Sequence, residues 1–552
     1  MNVTVAGTSI SLTQNEFLTS GGEGNIYVRG QTAYKIYHDP HKVLPSGKFT
    51  DLSVLNNPKI IKPEAMVFQN GKPVGYQMPF IKDTVTLCQL FTSTFKQRNN
   101  ISQKQVADLV RDMANTLRYT HSKNVLVVDL NELNCLADKT FSSVFYIDVD
   151  SWQTQGYQAT AIMPTVRDYH TKGFNEGSDW FSFAVVTYQM LVGIHPYRGK
   201  YPGVPELEDR MKQNISVLSP GVKVPPCCQG LIPIDTRYLQ WYRDVFNHEW
   251  RNEFPTDNFM INVVSKQPIP VNGKSLTIEE LYRASYPILN YGYTANCEVL
   301  LTTKNVIINR AIKTKTLLGD EISFWQNIPF SVRQTSSCLE ITNLQNLQIV
   351  QTTNRPVDGF FISGQRIYIK YEDNIYKSQF HQWGKEIDSV WRIVARVMPK
   401  ATKLYSGVAI QNMLGRWVAD LFPSEGKHFQ ILLPQLDGYV IQDASAIKDL
   451  LIIIASKNGK YDRFMFKISG VNIIQTVVVQ DVTYTSINFV YLDRGVVVLM
   501  NEDGDLELFS INDISKRRLI QDSCLNGNMK LVTDGAVVMA ILDNLLLKLT
   551  MK

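Results

Sequence analysis

At 552 residues the chain is too long for one hydrophobic core, so two or three domains are expected. Its 44% apolar and 11% aromatic content excludes a disordered chain, and a net charge of +5, with Lys516–Arg518 as a short basic run, gives no signal of nucleic-acid binding. Seven cysteines (88, 135, 227, 228, 297, 338 and 524), odd in number and without C-x-x-C spacing, argue against a disulfide framework or zinc site and for a reducing, cytoplasmic setting. No apolar run approaches the ~18 residues of a membrane span, and Met1–Leu12 alternates like a strand rather than a signal peptide.

Residues 16–37, EFLTSGGEGNIYVRGQTAYKIY, read as strand, glycine loop, strand, turn, strand. Gly21, Gly22 and Gly24 let the backbone approach a phosphate without a Cβ in the way. In the strand that follows, period-2 alternation puts Ala33, Lys35 and Tyr37 on one face. The stretch 71–83 reads as a further strand running into a hinge. Ser102 and Gln105 form a capping box ahead of a helix whose apolar stripe is Val106, Leu109, Val110, Met113 and Leu117.

The helix leads into HSKNVLVVDLNELNCL (121–136), where a short apolar strand, Val125–Val128, is expected to carry Asp129 and then Asn134. A second apolar strand, Val144–Ile147, delivers Asp148. A carboxylate, an amide and a second carboxylate at the ends of adjacent strands can orient a hydroxyl nucleophile and hold Mg²⁺ against a nucleotide's phosphates. A calcium loop from Asp148 to Ala159 is excluded, because Trp152, Gln153 and Ala159 stand at positions five, six and twelve.

In this order and spacing the motifs resemble those of the protein kinases, over about residues 10–262. The resemblance implies that Asp129 is the catalytic aspartate of H-R-D-x-x-x-x-N, Asn134 its metal-binding asparagine and Asp148 the metal-binding aspartate of D-F-G. It implies that Lys35 contacts the α- and β-phosphates of ATP, that Ala33 is the small residue against adenine, and that Gly21, Gly22 and Gly24 cover the phosphates. GSDWFSFAVVTYQMLVGIHPYRG (177–199) resembles the buried helix of the C-lobe, with Asp179 fixing the catalytic-loop backbone and Arg251 as a late structural arginine.

Several positions depart from the family pattern. Thr19 replaces the first loop glycine, Val127 and Val128 replace the His and Arg before Asp129, and Asn131 stands where serine/threonine kinases carry a phosphate-contacting lysine. D-F-G appears as Asp148-Val149-Asp150, where Asp150 is expected only to cap a turn, and Pro164 is the remnant of A-P-E. The place of the helical glutamate that pairs with the strand lysine holds Lys48. That ion pair is therefore missing, supplied by Asp51, or supplied from elsewhere. The loop forms look closest to divergent bacterial and bacteriophage kinase-like proteins.

VSKQPIPVNGKS (264–275) reads as a linker, and from residue 278 the character changes to short β-runs. One unit, two apolar strands around a tight polar turn, recurs with turns near 304, 335, 373, 413, 458, 503 and 543. A period near ~40 residues points to a β-propeller, best counted as seven blades, with a pair of β-sandwiches as the alternative.

The expected fold is thus a bilobal α+β kinase-like domain over 1–262 (lobes about 1–80 and 81–262), a linker over 263–277, and an all-β propeller over 278–552. The expected function is an ATP- and Mg²⁺-dependent serine/threonine protein kinase, with a protein substrate or docking partner held by the propeller. A pseudokinase scaffold, or a structural part of a larger assembly such as a virion, are the alternatives. The expected location is accordingly the cytoplasm, or a host's cytoplasm or a virion if the chain is phage-encoded.

Overall fold

The computed structural model describes residues 1–225, 234, 236–255, 273–315, 321–354, 356–422, 428–483 and 486–552. These form two compact units, one built on Met1–Gln267 and one on most of the chain from Pro268 onward. Residues 263–272 of the expected linker lie outside the described residues, and the first strand of the second unit begins at Leu276.

The first unit opens with seven strands: β1 (Asn2–Val5), β2 (Thr8–Ser11), β3 (Phe17–Ser20), β4 (Gly24–Arg29), β5 (Thr32–Tyr37), β6 (Ala65–Gln69) and β7 (Lys72–Pro79). They make one sheet in the order β2-β1-β6-β7-β5-β4-β3. Gly24 and Gly75 permit this packing, because a Cβ would sit 2.5 Å from the Ile36 carbonyl oxygen in one case and 1.9 Å from that of Lys35 in the other. Between β5 and β6 runs a short helix, α1 (Ser46–Leu52), whose buried residues are Lys48 and Leu52.

Next come β8 (Thr84–Thr86), α2 (Ser93–Arg98), α3 (Gln103–His121), β9 (Cys135–Asp138) and β10 (Val144–Tyr146), then α4 (Glu176–Val192), α5 (Leu207–Lys212) and α6 (Thr236–Asn247). Strands β8, β9 and β10 form a second small sheet. The capping box of Ser102 and Gln105 starts α3, and its apolar stripe is fully buried. Every residue of α4 from Ser178 to Val192 is buried, so this helix is apolar on all sides for a physical reason. Gly193, at φ 83°, ends it by donating its N–H to the Gln189 carbonyl.

Val125–Val128 is not a strand: only Leu126 makes a β-bridge, to Gln153. The N–H groups of Val127 and Val128, which a ladder would need, go instead to a side chain, and Val128 has a left-handed backbone (φ 63°).

Among the described residues the second unit forms seven four-stranded sheets. Six are built from consecutive strands within 288–315, 321–352, 359–396, 402–432, 440–482 and 489–520. The seventh joins Lys530–Thr533, Val538–Leu542 and Leu545–Met551 to the unit's first strand, Leu276–Arg283, with Leu276 opposite Met551. Apolar clusters bridge consecutive sheets. One of them unites the last sheet (Val532, Met539, Ile541, Leu546) with the first (Ile288, Leu300, Ile307). The seven turns read from the sequence each join the second and third strands of one sheet or, in the last, the strands ending at Leu542 and starting at Leu545.

Candidate active site

Lys35 lies in the middle of β5, opposite Tyr76 of β7, and is only 5% exposed. A buried ammonium needs anions. It has two at 2.7 Å, Asp148 Oδ1 and Asp150 Oδ2, and a third at 3.3 Å, Glu23 Oε2 in the glycine loop. Burial pulls the Lys35 pKa down, but the charges of Asp150 and Asp148 outweigh it and hold the ammonium protonated well above the usual lysine range.

Asp150 is the best-satisfied group of the cluster. Tyr37 donates its hydroxyl to Oδ2, Tyr76 donates to Oδ1 at 2.6 Å, and Lys35 completes the set. Burial opposes its ionisation, yet Lys35 and these hydrogen bonds hold its carboxyl below the usual carboxylate range. This corrects the expectation that Asp150 only caps a turn. It answers the question of the missing helical carboxylate too. Asp51 is occupied elsewhere, accepting from Thr154 Oγ1 at 2.7 Å, and the ion pair is supplied by Asp150.

Asp148 has a left-handed backbone (φ 59°, ψ 36°) at the start of the turn Val149–Ser151. That conformation costs energy for a non-glycine residue, and it sets the Asp148 side chain beside Lys35. Burial first, and the charge of Asp150 second, push the Asp148 carboxyl above its usual range. Ligand oxygens of Glu23, Asp148 and Asp150 lie within 4.8 Å of one another. An oxygen-only donor set fits a hard cation such as Mg²⁺, although Asp150 is already committed to three donors.

Asp129 and Asn134 form the other half. Asn134 Nδ2 donates to the Asp129 carbonyl (3.2 Å) and carboxylate (3.3 Å), and the Asn134 carbonyl accepts from Ile147 N–H at 3.0 Å. Residue 134 is therefore fixed beside the strand end that carries Asp148. Burial raises the Asp129 pKa, against hydrogen bonds that include one from the Met163 N–H to Oδ1 at 2.8 Å.

Asp179, fully buried near the start of α4, anchors this loop. Its two oxygens accept from Val127 N–H and Val128 N–H at 2.8 Å each, and Oδ2 lies 3.0 Å from His121 Nε2. Those bonds hold the left-handed Val128, a strained state for a β-branched residue. Lower down, Arg251 makes a bidentate pair with Asp168 at 2.6 and 2.8 Å and covers the ring of Phe181.

The glycines divide by role. Gly24 is required by its approach to β5, whereas Gly22 at the loop tip meets nothing within 4 Å. Ala33 is buried in β5 opposite Met78. Sequence reasoning missed Tyr37, Tyr76 and Asp168 as site residues and gave Asp150 the wrong role. Of these Tyr37 carried a signal, its two-residue spacing from Lys35 on one strand face.

No protein-family model matches the chain. Among curated proteins, it is 28% identical over 222 residues to cAMP-dependent protein kinase type 3 of Saccharomyces cerevisiae, covering 37% of this chain and 52% of that protein. It is 24% identical over 183 residues to serine/threonine-protein kinase atg1 of Dictyostelium discoideum, covering 31% and 27%. The chain thus spans about half the length, or less, of these relatives. Among solved structures, it is similar to the Cydia pomonella granulovirus kinase PK-1 (TM-score 0.35, 15% identity, 43% of this chain and 86% of that one) and to Kluyveromyces lactis Hsv2 (0.32, 14%, 46% and 90%). Among the described residues no helix is long and apolar enough to cross a membrane. Part of this chain is protein-kinase-like in sequence.

Proposed function

We propose that the first unit transfers the γ-phosphoryl group of ATP to a serine or threonine hydroxyl of a protein. The observation that carries this reading is the meeting of two pairs from elements far apart in the chain: Lys35 with Asp148, and Asn134 with Asp129, joined where the Asn134 carbonyl accepts from the N–H of Ile147 beside Asp148. Asp129 would orient the acceptor hydroxyl and take its proton. Lys35 would bind phosphate oxygens, with Gly21, Gly22 and Gly24 covering them and Ala33 against the base. Asp148 and Asn134 would hold Mg²⁺, which when bound neutralises charge on the phosphates.

The domain organisation we propose is a kinase-like domain over 1–262 (lobes about 1–80 and 81–262), a linker over 263–277 and a seven-bladed propeller beyond. Support for a closed propeller comes from the pairing of Leu276–Arg283 with Leu545–Met551 and from the cluster shared by the last and first sheets. Such a ring would serve as a docking surface for a protein substrate or partner. A second reading, a pseudokinase scaffold, is favoured by one contact: the Met163 N–H already donates to Oδ1 of Asp129. Transfer of labelled γ-phosphate to protein, measured with and without Mg²⁺ beside nucleotide binding, separates the two. Binding without transfer selects the scaffold, and transfer lost in Asp129→Asn selects the kinase.

A further inference from the structure

Lys48 stands on α1 where a carboxylate would be needed to pair with Lys35, and that pairing has moved to Asp150. Lys48 is 7% exposed and shares the buried side of α1 with Leu52. A lysine that merely laid its stem along the surface would keep its head in water. This one has only 7% of its surface left to solvent. Among the described residues no hydrogen bond or ion pair of its ammonium is formed, while the charges that act on it are those of Asp150, Glu23, Asp148 and Lys35. Helix α1 packs against the turn Val149–Ser151 that carries Asp150, and Lys48 is buried on α1, so its side chain lies on the α1 side of the same cluster. Burial lowers its pKa, as for a cation short of a close counter-ion.

The charges around Lys35 make the point sharper. Its ammonium is committed to Asp148 and Asp150, and Glu23 adds a third carboxylate. Before Mg²⁺ is bound, a polyphosphate approaching this set would meet more anions than cations. We infer that Lys48 is a second phosphate-binding cation, donating from α1 to oxygens of the nucleotide's polyphosphate. The inference rests on the nucleotide site proposed above. It reverses the charge that α1 brings to the site, from an anion that would position Lys35 to a cation that acts beside it.

The test uses the full-length chain, its Lys48→Met and Lys48→Arg variants, and ATP, ADP and adenosine as probes in the presence of Mg²⁺. Lys48→Met should weaken ATP binding on the order of 10- to 100-fold, as expected for loss of a hydrogen bond to a charged group. Adenosine binding should not change, and Lys48→Arg should stay within a few-fold of the parent. Without nucleotide, Lys48→Met should melt at the same temperature as the parent or higher, since an uncompensated buried charge is gone. ATP and adenosine weakened equally, a lower melting temperature with no ATP-specific loss, or unaltered ATP binding would each overturn the inference and leave the nucleotide site standing. If the parent chain binds neither ATP nor adenosine, the nucleotide-site reading falls, and this inference with it.

Discussion

In the first unit Lys35 reaches 113 and 115 residues along the chain to Asp148 and Asp150, whereas in the second Asp420 takes its donors from Gln411, His428 and Gln430, all within ten positions. Asp150 and Asp420 are both buried, but their sets are built differently. The partners of Asp420 lie in its own sheet, so forming the hairpins already brings them together, and the bonds fix register. Lys35 and its anions meet only when a sheet, a loop and a turn are all in place. Asp148 is held there at positive φ, as is Val128 in the loop that Asp179 anchors. Positive φ alone does not separate the units, since Leu347 and Leu414 of the second hold it as well; what separates them is that the Lys35 set draws its groups from distant elements.

The sharpest way to break that comparison is Asp129→Asn. It keeps the shape of the side chain and removes the base, so transfer should fall by ~10²- to 10⁴-fold while nucleotide affinity and melting temperature hold. Undiminished transfer would deprive Asp129 of its role.

Asp150→Ala follows in size. It would leave Lys35 with one close anion and strip Tyr37 and Tyr76 of their acceptor, which in a buried pair costs about 3–5 kcal/mol. Its melting temperature should drop well below that of Asp148→Ala, which removes a more exposed group and should act mainly on Mg²⁺-dependent nucleotide binding. If Asp150→Ala melts like the parent, the Lys35–Asp150 pair is not the structural substitute described above.

On the other side of the comparison, Asp420→Ala should cost roughly 1–3 kcal/mol, the desolvation of amides left without an acceptor. Transfer and nucleotide affinity should be untouched. A loss of nucleotide affinity in this variant, measured at a temperature where it remains folded, would erase the distinction between the two kinds of buried charge.

The same difference explains what could be read in advance. Helix α3 was legible because its capping box and apolar stripe are local, and α4 because a buried helix is apolar throughout. The seven turns were legible because the inner strands of a sheet, as in Leu450–Lys457, are aliphatic on both faces. Outer strands such as Asp513–Ile520 are exposed over most of their length, so they blurred the unit to two strands instead of four. The candidate site was legible where a residue falls within a short motif of its own strand or loop, as Lys35, Asp129, Asn134 and Asp148 each do. Asp150 was not, since its partners Tyr37 and Tyr76 come from β5 and β7 and no spacing links them. Val125–Val128 misled for a related reason: an apolar run has strand composition, but Asp179, from α4, takes its N–H groups.

The smallest expected effect concerns a buried charge of the second unit that its partners satisfy only in part. Arg463, 2% exposed, donates to Glu507 at 2.7 Å and lies 3.2 Å from Glu502, while Arg517 joins Glu507 at 3.0 Å. Two arginines therefore serve Glu507 and one serves Glu502. Burial first pushes the Glu502 carboxyl up, Arg463 opposes this, and the net result is about 7 against an ordinary 4.5. An acid whose folded pKa is raised binds its proton more tightly in the folded state. Its contribution is complete below about pH 4.5 and is lost as pH rises through about 7. The loss should amount to roughly 1–3 kcal/mol. Glu502→Gln, neutral at every pH, should remove it. Hydrogen exchange in Val496–Met500 and Leu506–Ser510, which flank Glu502, should quicken between pH 4.5 and 7 in the parent after correction for intrinsic rates, and stay flat in the variant. Parallel curves, displaced by a constant, would mean that Glu502 ionises in the fold as it does in the unfolded chain, and that Arg463 holds both carboxylates as well as Asp420 is held by its own sheet.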